Sequence, residues 1–152
     1  MSGATTTIDI QLLDTMPCLS TLPCTAGSGA ECAFIGRTRP ERHDELGDLE
    51  ALEYEAYRPM AQRMLEALAR RAADRWSCLS IELHHAICTV PVGDVSVIAR
   101  VMSEHRADAF AACRWLMDEL KRSIPIWKRE IWTQGHSWSG GNIPSTSARA
   151  SS

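Results

Sequence analysis

A chain of 152 residues has the length of one domain and enough of it to bury a core. Sixteen Lys and Arg against nineteen Asp and Glu leave a net charge of −3, which argues against a nucleic-acid partner held by bulk charge. A hydrophobic content of 45% with five Trp excludes a disordered chain, and no apolar run reaches membrane-spanning length.

In chain order, Ile8, Ile10 and Leu12 alternate with polar neighbours and predict a first strand over 7–12. Residues 15–29, rich in Pro, Ser, Thr and Gly, read as irregular with room for one short helix. A short strand over 30–35 ends at Gly36, and the polar run RTRPERHDELGD reads as a mobile loop between two strands. Leu52, Tyr54 and Ala56 alternate against Glu53, Glu55 and Tyr57, a strand with one wet face. Pro59 suits the first turn of a helix whose stripe is Met60, Met64, Leu65, Leu68 and Ala72, running to Trp76. Leu79, Ile81 and Leu83 mark a strand, 91–94 a turn, and Val95, Val97, Ala99 and Val101 another strand.

The stretch SEHRADAFAACRWLMDELKRSIPIWKRE (103–130) then predicts a helix, a proline break and a strand. Ser103 is the expected N-cap, with Glu104 at the positive helix end. The apolar stripe is Ala109, Phe110, Cys113, Leu116, Met117 and Leu120. Pro125 stops the helix near Ser123, and IWKREIW alternates as a strand that puts Lys128 and Glu130 on one face and Arg129 on the other. Arg106 at the helix start favours an anionic ligand, although a solvated amphipathic helix accounts for the same charges. The order of strands and two long helices predicts a single α+β domain over 1–138, followed by a polar, disordered tail over 139–152.

Several residues have plain readings. Cys18, Cys24, Cys32, Cys78, Cys88 and Cys113 form no C-x-x-C pair and match no zinc spacing. His84 and His85 lack a carboxylate or cysteine at ligand spacing, so both read as structural and no metal is expected. Tyr54, Tyr57, Trp76, Trp115 and Trp127 read as packing residues, and Glu53 and Glu55 as a solvated face. MSGATTTIDIQ has no basic segment leading into an apolar run, so no secretory signal and a cytoplasmic setting are the expectation.

Four motifs recur in a specific order: F-I-G-R-T-R at 34–39, L-E-Y-E-A-Y-x-P-M-A at 52–61, H-R-x-x-A-F at 105–110, and L-K-x-x-x-P-I-W-K-x-E at 120–130. Together they resemble the large, catalytic subunit of molybdopterin synthase, over about residues 30–138. The resemblance implies a hammerhead-like α+β fold with a mixed, mostly antiparallel sheet. It further implies a homodimer flanked by two small subunits, and insertion of two sulfurs into cyclic pyranopterin monophosphate. The sulfur arrives as a thiocarboxylate on the C-terminal Gly-Gly of the small ubiquitin-like partner, and no cofactor is needed.

By the same resemblance Arg37, Thr38, Arg39, His105 and Arg106 bind the pterin phosphate and the incoming tail. Lys121 carries the acid/base role and Lys128 is a second essential cation, with Arg129 and Glu130 lining the pocket. Both substrates are anions, so a cationic pocket suits them. A lysine among cations tends towards a lowered pKa, which helps it move protons near neutral pH. The chain also departs from the family: His85-Ala86-Ile87-Cys88 stands where relatives carry H-R-x-G, Pro40 replaces an asparagine, and Asn142 stands where some relatives have a basic residue. A subunit that docks the sulfur carrier without turnover is therefore the alternative to an active enzyme.

Overall fold

The computed structural model describes residues 5–19 and 25–139. Along the chain run β1 (Thr7–Leu13), β2 (Ala30–Arg37), β3 (Arg42–His43), β4 (Gly47–Ala56), α1 (Arg58–Trp76), β5 (Cys78–Ala86) and β6 (Thr89–Pro91). They are followed by β7 (Val95–Ser103), α2 (Arg106–Ser123), β8 (Ile126–Trp132) and β9 (Gly135–Ser139). No helix among the described residues is long and apolar enough to cross a membrane.

The strands form two sheets. The first has the order β1-β5-β7-β2, with β1 parallel to β5 and the other pairs antiparallel. The second runs β3-β4-β8-β9, with β6 also paired to β4. The expected mixed, mostly antiparallel pairing is thus present, divided between two sheets.

Both helices cover one face of the first sheet. Leu65, Leu68 and Ala72 of α1 and Ala112, Leu116 and Leu120 of α2 meet Ile81, Leu83, Ala99 and Val101 in one core. Alanines at the helix contact let backbone approach backbone, and burial of the large side chains supplies the driving force. On the opposite face of the same strands Arg100 is buried and its Nε donates to Glu82 at 2.8 Å. A smaller cluster of Leu49, Leu52 and Trp132 holds the second sheet together.

Local expectations fail where tertiary contacts overrule them. Ser103 is not the cap of α2. It is the last residue of β7, paired on both sides by Ala30 and Cys78, and its Oγ donates to the His105 carbonyl at 2.7 Å. The helix starts only once the chain has left the sheet, so extended His105 is the N-cap. Phe110 is 65% exposed and Met60 43%, because the buried stripes run through Ala109, Ala112 and Cys113 in α2 and through Ala61 and Leu65 in α1. The polar run 37–48 holds a short hairpin, with Arg42 opposite Asp48. Glu53 is half-buried and accepts from Arg129 across the strand pair, while Glu55 stays exposed, as expected, with the Trp127 indole donating to it. Tyr57 is exposed, and no helix forms in the described parts of 15–29. The polar stretch after Ser139 lies outside the described residues.

Candidate functional site

A cleft of about 520 Å³ opens where the two sheets meet the C-terminal end of α2. That volume is in the range of small-molecule sites. Its first wall is the end of β2. A register shift between Gly36 and Arg37 interrupts the pairing with β7 just before the arginine, and such a bulge re-aims the side chains that follow. Arg37 and Arg39 both line the cleft, and between them Thr38 does not. Thr38 is 1% exposed. Its N–H donates to the Asp94 carbonyl, its carbonyl accepts from Gly93, and its hydroxyl donates to the Val90 carbonyl. The buried threonine pins the strand end to the β6–β7 turn and so presents the two arginines. Arg37 is further fixed by donating to the Gly93 carbonyl at 2.9 Å, whereas Arg39 pairs with Glu41 at 3.0 Å on the exposed rim.

The second wall is the end of α2, with Met117, Leu120 and Lys121. Lys121 lies in the last turn, where the negative end of the helix favours a cation. The third wall is β8 against β4. Strand alternation puts Lys128 and Glu130 in the cleft, opposite Tyr54 and Leu52. Glu130 is held from behind: the Trp132 indole donates to Ser137 Oγ at 2.9 Å, and Ser137 donates to Glu130 Oε2 at 2.9 Å. Strand β9 supplies that serine, and nothing in the sequence pattern announced it.

Arg129 does not line the cleft. It points to the other strand face and donates to Glu53 at 2.8 Å, a half-buried pair. His105 and Arg106 are also elsewhere. They stand at the start of α2 and Lys121 near its end, about 24 Å apart at 1.5 Å per residue. One chain therefore joins Arg37, Arg39, Lys121, Lys128 and Glu130, and leaves Thr38, Arg129, His105 and Arg106 outside the cavity.

The cleft floor holds Tyr54, expected only to pack, His85, expected to be structural, and a serine with no expected role. Tyr54, His85 and Ser96 all line it. The Tyr54 and His85 rings meet edge to face at 4.9 Å. Burial raises the Tyr54 pKa against the opposing effect of a hydrogen bond with Ser96, so the phenol stays protonated. His85 Nδ1 lies 2.7 Å from the Ala86 carbonyl. Burial lowers the His85 pKa to about 4, with the bond to Ala86 opposing the shift, so the ring is neutral at physiological pH. The available signal was the alternation Ile81, Leu83, His85, which carries a polar residue onto a buried strand face. Among the described residues no group of three or more His, Cys, Asp or Glu is placed to hold a metal ion.

The MoaE protein family model matches residues 6–123. A molybdopterin synthase catalytic subunit from Arabidopsis thaliana is 45% identical over 111 residues, covering 73% of this chain and 55% of that relative. One from Pyrococcus abyssi is 35% identical over 122 residues, 80% of each chain. The chain thus spans about half the length of the plant relative and most of the archaeal one. The solved molybdopterin synthase from Staphylococcus aureus superimposes with a TM-score of 0.75 at 30% identity, over 87% of this chain and 96% of that one. A complex of subunits 1 and 2 of the molybdopterin-converting factor from Helicobacter pylori gives 0.67 at 19% identity, a likeness of fold alone. With a family match over most of the described residues and a fold shared with a solved relative, the chain belongs to the MoaE protein family.

Proposed function

We propose that this chain is the catalytic subunit of a molybdopterin synthase. It converts cyclic pyranopterin monophosphate to molybdopterin with sulfur from the C-terminal thiocarboxylate of a small ubiquitin-like subunit. The observation that carries this reading is the convergence of Arg37, Arg39, Lys121 and Lys128, from three separate walls, on one cleft of ligand size. The phosphate and the thiocarboxylate are both anions, and four cations in one concavity offset their repulsion. Lys121 moves protons at the pterin carbon, and Lys128 stabilises the oxyanion that develops as the thiocarboxylate reacts. Glu130, fixed by Ser137, offers an acceptor on the same strand face as Lys128. Thr38 and Arg129 act as positioning residues, the first on the arginine wall and the second on the back of β8.

His105 and Arg106 are too far from Lys121 to serve the same cleft, so they serve the cleft of a second copy. This is the use that a homodimer, flanked by two small subunits in a cytoplasmic setting, makes of them. The departures at Ala86 and Cys88 favour the second reading, a subunit that docks the carrier without turnover. Reconstitution with a thiocarboxylated small subunit and the pterin substrate separates the two. Dithiolene formed by the native chain and lost in Lys121→Ala supports the enzyme. Tight carrier binding with no product from the native chain supports the docking subunit.

A further inference from the structure

His85 sits in the cleft with half of its hydrogen-bonding capacity unused. Its Nδ1 faces a carbonyl oxygen, which can only accept, so the proton of the neutral ring resides on Nδ1 and Nε2 carries a bare lone pair. Among the described residues no group bonds to that Nε2, and it is not one of the sealed polar atoms without a partner. His85 lines the cleft, and Nε2 is the ring nitrogen left to meet a ligand there. The Tyr54 ring packs edge to face against the His85 ring, and the Ala86 carbonyl fixes the tautomer. The two arginines and two lysines of the cleft are donors only, whereas His85 is a fixed, uncharged acceptor on its floor.

We propose that His85 Nε2 is a specificity-determining acceptor for an uncharged N–H of the bound substrate. This rests on the function proposed above. Phosphate and thiocarboxylate bring no such donor at neutral pH. Two sources in the reaction do: the N–H edge of the pterin ring, and the backbone amides of the carrier's Gly-Gly tail. A ligand N–H facing this lone pair gains a hydrogen bond to an acceptor already fixed in place. An analogue that presents an acceptor there meets an acceptor, and is rejected.

The test is calorimetric binding of the pterin substrate and, separately, of the small subunit to the native chain and two variants. His85→Phe keeps the ring against Tyr54 and removes the acceptor. His85→Gln loses the ring and keeps an amide oxygen at about the reach of Nε2. An acceptor role predicts that Phe weakens one ligand by about threefold to tenfold and that Gln restores most of it. A packing role predicts the opposite order, with Phe the better replacement. Loss confined to the pterin assigns the donor to the ring, and loss confined to the small subunit assigns it to the tail. Unchanged affinity for both ligands in folded His85→Phe overturns the inference while leaving the enzyme reading intact. A native chain that binds neither ligand overturns both.

Discussion

The buried neutral state of His85 has a consequence for stability that can be measured without any ligand. Desolvation lowers its pKa from 6.5 to about 4, only partly countered by the bond to the Ala86 carbonyl. Between about pH 6.5 and pH 4 the unfolded chain binds a proton at this residue and the folded chain does not. Stability therefore falls as pH drops through that window and is unaffected above it. At 1.36 kcal/mol per unit, the loss is about 2 kcal/mol by pH 5 and about 3 kcal/mol by pH 4. Carboxylates elsewhere also respond to acid, so the quantity to follow is a difference between proteins. Urea unfolding of the native chain and of His85→Phe should be measured from pH 8 to pH 4. The variant loses the Nδ1–H bond at every pH but has no group to titrate. The advantage of the native chain over it should accordingly shrink by about 3 kcal/mol towards pH 4. A pH-independent gap would refute the argument, because His85 would then titrate alike in the folded and unfolded chains.

Gly47 adopts a φ of +83°, and a Cβ placed there would lie 2.0 Å from Thr133 Oγ1. That hydroxyl already accepts from the Asp48 N–H and donates to the Leu46 carbonyl, so it cannot step aside. Gly47→Ala should cost about 2 kcal/mol or more in urea unfolding, and a near-neutral result would place the turn in another conformation. Mixed subunits test the dimeric use of α2. If each cleft takes Lys121 from one copy and Arg106 from the other, Lys121→Ala and Arg106→Ala should each abolish turnover, and an equal mixture of the two chains should regain about a quarter of the native rate. No recovery after exchange of subunits would mean that both residues act within one chain.

The periodicities of the sequence were enough to place most elements, because a buried face imposes a period of two on a strand and 3.6 on a helix. The end of α2 was equally legible, since Pro125 forbids continuation for purely local reasons. The division of β8 into Lys128 and Glu130 on one side and Arg129 on the other followed from the same alternation. Errors fell where a neighbour distant in sequence decides. Ser103 looks like a cap until β2 and β5 claim its backbone, and Glu53 looks solvated until β8 brings Arg129 across, whereas Glu55 does stay exposed. The family motifs named the cations, but only the packed chain divides them. Arg37, Arg39, Lys121 and Lys128 meet where two sheets and a helix end converge, while the rigid length of α2 keeps His105 and Arg106 away. His85 marks the limit most clearly. One residue of register determines which face of β5 it occupies, but whether that face is sealed core or cleft floor depends on how the second sheet stands against the first.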